Sequence, residues 1–88
     1  MHTFVETRPD VFQLRTSTKD RRGNWSYAVH DQGVSRIRPR VWVAFDAASE
    51  TSDQFEWASG AVGALKLRGE NLGFRLIRDN GAVVASGC

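Results

Sequence analysis

From Val11 to Thr16 the chain reads V-F-Q-L-R-T, with Phe12 and Leu14 on one beat and Gln13 and Arg15 on the other. A period of two puts alternate residues on opposite sides of an extended backbone, so this stretch predicts a half-buried strand. Asn24 to His30 (N-W-S-Y-A-V-H) alternates again, which predicts Trp25, Tyr27 and Val29 inward and Ser26, Ala28 and His30 outward. The polar run S-T-K-D-R-R-G-N between them predicts a basic hairpin loop. Asp31-Gln32-Gly33 predicts a turn. A third strand is predicted from Val34 to Phe45, with Ile37, Val41, Val43 and Phe45 on its buried face and Arg36, Arg38, Arg40 and Trp42 on its wet face. Pro39 cannot donate to a ladder, which places that strand at an edge or marks a bulge.

The period then changes. D-A-A-S-E-T-S-D reads as a helix entrance, with Thr51 or Ser52 as N-cap and Asp53 and Glu56 near the positive end of the dipole. The helix is predicted over Asp53 to Arg68, with Gly69 as its C-cap. At 100° per residue, Phe55, Ala58, Ala61, Val62 and Leu65 form the stripe that should lie on the sheet, and Trp57, Gly60, Gly63, Ala64 and Leu67 form a second stripe on the far side. Two short strands, Phe74 to Arg78 and Ala82 to Ser86, flank Asp79-Asn80-Gly81, a strong hairpin signal. The fold class is therefore α+β: one antiparallel sheet of about five strands, in the order β-β-β-α-β-β, with one helix packed on one face. Residues 1–88 form a single domain, and residues 1–9 are expected as a loosely ordered arm.

The tail G-F-R-L-I-R-D-N-G-A-V-V-A-S-G resembles the hairpin of small bacterial YegP-like domains, in which an aromatic-x-leucine strand meets an Asn-Gly turn and a Val-rich return strand. K-D-R-R-G-N-W-S-Y-A-V-H-D-Q-G is a looser match to the same pattern. The resemblance implies a β-β-α arrangement and no particular chemistry. The two stretches also echo each other, Asn24 to Gly33 against Asn71 to Gly81, as a hairpin repeat would.

Composition narrows the function more than the fold. With 88 residues the chain buries only about 60–65 % of the surface its unfolded form exposes, so help from a partner or a second copy is worth considering. Twelve Lys and Arg against ten Asp and Glu leave a formal charge of +2, too small to demand a polyanion. Ten of the twelve are Arg, the side chain of bidentate carboxylate and phosphate contacts and of stacking on rings. Cys88 is a lone cysteine, which excludes an internal disulfide and suits a reducing, cytoplasmic setting. The first ten residues lack the basic and apolar regions of a secretory signal, and Trp57 to Leu67 is far short of a bilayer span.

Catalytic and metal-binding residues are not expected, nor a cofactor. His2 and His30 are the only histidines, with no H-x-x-x-H or C-x-x-C spacing. No serine sits in a G-x-S-x-G elbow, and Asp46, Glu50, Asp53 and Glu56 suit helix capping better than acid–base work. The expected function is a small non-enzymatic module that covers a surface on another protein, anchored by Arg36, Arg38, Arg40 and Trp42 and separately by Trp57 and Leu67. Compact phage or mobile-element inhibitors, anti-CRISPR proteins among them, are analogous in size and architecture. The alternative is a nucleic-acid-binding domain using Arg15, Lys19, Arg21, Arg22, Arg36, Arg38, Arg40 and Arg75. Against it stands the absence of two or three aromatics side by side on the exposed face. A homodimer is the third option, and no membrane partner is expected.

Overall fold

The computed structural model describes residues 1–46, 53–67 and 73–87. These form β1 (His2–Arg8), β2 (Val11–Lys19), β3 (Trp25–Arg38), β4 (Val41–Phe45), α1 (Ala58–Ala64), β5 (Phe74–Ile77) and β6 (Val83–Gly87). The strands make one six-stranded sheet in the order β4-β3-β2-β1-β5-β6. The sheet is mixed, because β1 runs parallel to β5 while every other neighbouring pair is antiparallel. Both points correct the expected five-stranded antiparallel sheet.

The sixth strand is the segment expected as a loose N-terminal arm. Its Phe4 pairs with Leu14 on one side and Leu76 on the other, and all three are buried. A single large apolar residue in seven was too faint a beat to announce a central strand, yet burying a Phe side chain is worth about 2–3 kcal/mol.

The β1–β2 and β3–β4 hairpins are closed by the same local device. Arg8-Pro9-Asp10-Val11 and Arg38-Pro39-Arg40-Val41 each pair Arg with Val across a two-residue turn. Proline presets the first turn position, and Asp10 and Arg40 take the left-handed conformation at φ 57° and 63°. Pro39 therefore ends one strand and starts another, and the single strand expected over Val34 to Phe45 is two.

That turn changes the expected faces, although Val43 is buried as expected. Arg36 pairs with Trp42, and Val34 with both Phe12 and Ala44, so Trp42 joins the buried row. Trp42 is 7 % exposed and its ring lies 6.1 Å from that of Phe12, whereas Ile37, expected inside, is exposed. V-W-V-A-F is apolar on both beats, so alternation alone could not choose its face.

Asp31-Gln32-Gly33 is not a turn either: β3 runs through it. Gln13 pairs with Gly33 but Arg15 pairs with Val29, so β3 carries extra residues there and the break signal is spent on a bulge. Gln13 Nε2 donates to the His30 carbonyl at 3.0 Å, and Gln32 Nε2 donates to Asp46 Oδ2 at 3.1 Å. Gly33 is required by contact: a Cβ would stand 2.2 Å from the Phe12 carbonyl oxygen and 2.5 Å from the Phe45 ring. The proposed echo between Asn24–Gly33 and Asn71–Gly81 accordingly pairs a bulge with a true turn, and Asn71 and Leu72 lie outside the described residues.

The helix is shorter than its predicted span. Phe55 is held by β4 through Trp42 N–H to Phe55 carbonyl at 2.7 Å and Phe55 N–H to Trp42 carbonyl at 2.8 Å, which keeps the preceding backbone extended. Trp57 becomes the N-cap, without a side-chain cap bond, and the chain leaves the helix through Lys66 at φ 52°. Thr51, Ser52, Arg68 and Gly69, expected as caps and helix end, lie outside the described residues. The inward stripe is as predicted: Ala58 and Ala61 are buried, and Phe55, Val62 and Leu65 pack on the core.

The core comprises Phe4, Phe12, Leu14, Val34, Trp42, Ala44, Phe74 and Leu76 from one face of the sheet, covered by α1. The helix touches β3, β4 and also β6, although β4 and β6 are opposite edges. In a flat sheet those edges would stand about 24 Å apart, more than twice the width of a helix, so the sheet is curled around its apolar face. One end of this face is closed by charge. Arg78 binds Glu6 at 2.6 Å and Asp10 at 3.4 Å, Arg36 binds Asp10 at 3.3 Å, and the Arg78 guanidinium lies 5.9 Å from the centre of the Phe12 ring.

Candidate functional site

Beyond Arg15 and before Gln32, β2 and β3 leave the body of the sheet as a two-stranded arm whose residues from Thr16 to Asp31 are all exposed. The molecule measures 43 Å along its longest axis against 27 and 24 Å across it. At the tip, Asp20 N–H donates to the Asn24 carbonyl and Gly23 N–H to the Asp20 carbonyl, with Gly23 at φ 86°. Asp20 Oδ1 accepts the N–H groups of Arg22 and Asn24, both at 2.8 Å, so its carboxylate is occupied in holding the turn.

The two faces of the arm differ. Thr16 pairs with Ala28 and Thr18 with Ser26, and this face is polar, with Thr16 Oγ1 2.8 Å from His30 Nε2 and Thr18 Oγ1 2.8 Å from Ser26 Oγ. On the other face Arg15 pairs with Val29, Ser17 with Tyr27 and Lys19 with Trp25. Trp25 is 58 % exposed, Tyr27 60 % and Val29 52 %. These three were expected inside; the alternation was real, but no layer covers that face of the arm among the described residues. Neighbouring side chains on the row stand about 6.6 Å apart, and such a contiguous apolar row differs from singly scattered exposed residues. The Arg15 guanidinium lies 4.4 Å from the Tyr27 ring centre and the Lys19 ammonium 5.7 Å from that of Trp25. Each cation–ring contact contributes roughly 0.5–1 kcal/mol at an exposed site.

The same face continues onto the sheet. Arg15 pairs with Thr3, Thr3 with Arg75 and Arg75 with Ser86, which makes a rung across β2, β1, β5 and β6 on the side away from the core. Arg75 Nε donates to Thr3 Oγ1 at 3.1 Å.

The sequence-predicted residues are divided by this geometry. Arg15, Lys19 and Arg75 share the outer face, and Arg21 and Arg22 occupy the tip beside Trp25. Arg36, Arg38 and Arg40 do not form the expected row: Arg36 faces the core rim and pairs with Asp10, Arg38 ends β3, and Arg40 lies in the turn. Trp42 belongs to the buried row and is 7 % exposed. Trp57 is 65 % exposed, but Leu67 is half-buried against the core. The space at Gly60 is filled by this chain, since the Phe55 ring would stand 2.8 Å from a Cβ there; Gly63 faces open space. Trp57 borders a cleft of about 340 Å³ between α1, β4 and β6, where Arg40 and Glu56 meet Trp42, Val84 and Ala85.

Sequence reasoning missed Trp25 and Tyr27 as surface residues. The available signal was the weak opposite strand: R-T-S-T-K beyond Leu14 has nothing apolar to place beneath a covering layer. Among the described residues no cluster of three His, Cys, Asp or Glu is placed to hold a metal ion, and no helix is long and apolar enough to cross a membrane. No protein-family model matches this chain, and no curated protein or solved structure matches it significantly.

Proposed function

We propose that this chain is a small non-catalytic binding module and that its outer face and arm take single-stranded nucleic acid. The observation that carries the reading is the side-by-side exposure of Trp25 and Tyr27 on one face of the arm, flanked by Arg15 and Lys19. Single strands are bound by aromatic platforms within a basic track, because every base has a stacking face and every nucleotide a phosphate. The two-aromatic platform, missing from the sequence reading, is thus supplied by a different strand from the one expected.

Charge supports the same surface. Residues 11–45 hold seven Lys and Arg against two Asp, while residues 46–56 hold four Asp and Glu and no basic residue. The small net charge conceals this division. Arg15, Lys19, Arg21, Arg22 and Arg75 are all on the outer face or the tip.

The test is binding of a labelled oligothymidylate of about twelve nucleotides, against a duplex of equal length. Five phosphate contacts would give a slope of log K against log salt no steeper than about −3.5. Trp25→Ser and Tyr27→Ser should each weaken binding by about 1–3 kcal/mol. Absence of binding at low salt would overturn the reading.

A second reading rests on Trp57. An exposed tryptophan at a cleft lined by Arg40 and Glu56 has the composition of a protein-interface anchor. It supports a module that covers a partner protein, in the manner of a compact inhibitor, or pairs with a second copy. That contact would lose little affinity with salt, and Trp57→Ser would abolish it; solution mass separates the second copy from a foreign partner.

A further inference from the structure

At the root of the arm the sheet has a step. β1 and β5 stop level with each other at the His2–Phe74 pair, while β2 continues past Arg15 to Lys19. The step leaves a notch of about 280 Å³ lined by Thr3, Arg15, Ser17 and Arg75 together with Met1, His2, Leu14 and Thr16. No carboxylate lines it among the described residues.

The two arginines differ from those at the core rim. Arg36 and Arg78 are neutralised by Asp10 and Glu6. Arg15 and Arg75 make no ion pair among the described residues; Arg15 is seated on Tyr27, and Arg75 is steadied through its Nε on Thr3. Thr3 lies between them in register, and Ser17 lies opposite Tyr27. Two fork-shaped cations and two hydroxyls around a void without a competing anion form a donor set for a tetrahedral oxyanion.

The geometry points to this notch as a phosphate seat: Arg15 and Arg75, with the hydroxyls of Thr3 and Ser17, hold a nucleotide phosphate whose base lies against the part of the Tyr27 ring that Arg15 leaves exposed. This rests on the single-strand reading and gives it a starting point, since one seated phosphate fixes where the strand enters the arm. Trp25 then takes the next base towards the tip.

The seat is tested with two probes. In the first, the side-chain Nε–H signals of Arg15 and Arg75 are followed by NMR during titration with thymidine monophosphate, and separately with inorganic phosphate. Both ligands should move both signals and leave those of Arg36 and Arg78 unmoved, with the nucleotide binding more tightly. In the second, oligothymidylate binding is compared for Arg75→Gln and for Arg8→Gln, which removes an equal charge from the other end of β1. Arg75→Gln should weaken binding about tenfold and make the salt slope shallower by about 0.7, with Arg8→Gln close to wild type. Equal effects of the two variants would overturn the seat and leave only a diffuse basic surface. Oligonucleotide binding that responds to Tyr27→Ser but not to Arg75→Gln would overturn the seat and leave the arm reading standing. Signals moved by the mononucleotide without any oligonucleotide binding would uphold the seat and overturn the single-strand reading. No response to either probe would overturn both.

Discussion

Two hairpins of this molecule are closed by the same turn and have opposite fates. At one tip Asp20 N–H reaches the Asn24 carbonyl and Gly23 N–H the Asp20 carbonyl; at the other Arg78 N–H reaches the Ala82 carbonyl and Gly81 N–H the Arg78 carbonyl. The glycines sit at φ 86° and 88°. Yet Phe74 and Leu76 of the second hairpin are buried, while Trp25 and Tyr27 of the first are more than half exposed. The difference lies outside the hairpins: Phe74 and Leu76 point to the sheet face that α1 covers, whereas Trp25 and Tyr27 point to the opposite face, over which no layer lies among the described residues. Turn chemistry decides that two strands pair. Neighbours decide whether their apolar beat is a core or a surface.

The largest expected contrast is between aromatics in the two settings. Phe12→Ala and Trp42→Ala should each cost about 3–5 kcal/mol in urea unfolding, while Trp25→Ser should change stability by less than about 1 kcal/mol. A comparable loss at Trp25 would mean that the arm's face is covered in solution. Next comes Gly33→Ala at the arm's root, where the added methyl meets a backbone oxygen and the strand itself must move, for about 1–3 kcal/mol. The smallest and sharpest contrast is between the matched glycines. Neither Gly23 nor Gly81 is crowded, so alanine costs roughly 1 kcal/mol through the left-handed backbone alone. At Gly81 that loss should appear in global stability. At Gly23 it should appear only as faster hydrogen exchange of the arm, which opens without the rest of the molecule.

Much of this was readable in advance. The Asn80-Gly81 hairpin, the inward stripe of the helix and the Phe12–Leu14 beat all follow from local pattern, because each is set by residues within one element. Trp42 was misplaced because two-residue Pro turns reset the beat; the repeated motif R-P-x-V followed by an aromatic, at Arg8 and Arg38, was the overlooked sign. The exposure of Trp25 was not readable from its own strand. It depends on which face of the sheet the helix covers, and Trp25 points to the other one. Of the nucleic-acid set, Arg15, Lys19, Arg21, Arg22 and Arg75 came from adjacent registers and remain together, while the trio Arg36, Arg38 and Arg40 depended on a strand that is in fact bent back on itself.

The parallel partnership of β1 and β5 also governs when this sheet can exist. Arg75 reaches Thr3 and Arg78 reaches Glu6 across a sequence separation of 72 residues, while each other pairing joins neighbours along the chain. During synthesis the first four strands can zip in sequence, each from a short loop, but they end on an open β1 with Phe4 covered from one side. Only the last hairpin to emerge covers that open side of β1. The closing loop is entropically the most expensive, although the cost grows only as the logarithm of its length, and contacts of this separation make folding slower. Losing the final fifteen residues would therefore turn β1 from an inner strand into an open edge and uncover one flank of Phe4.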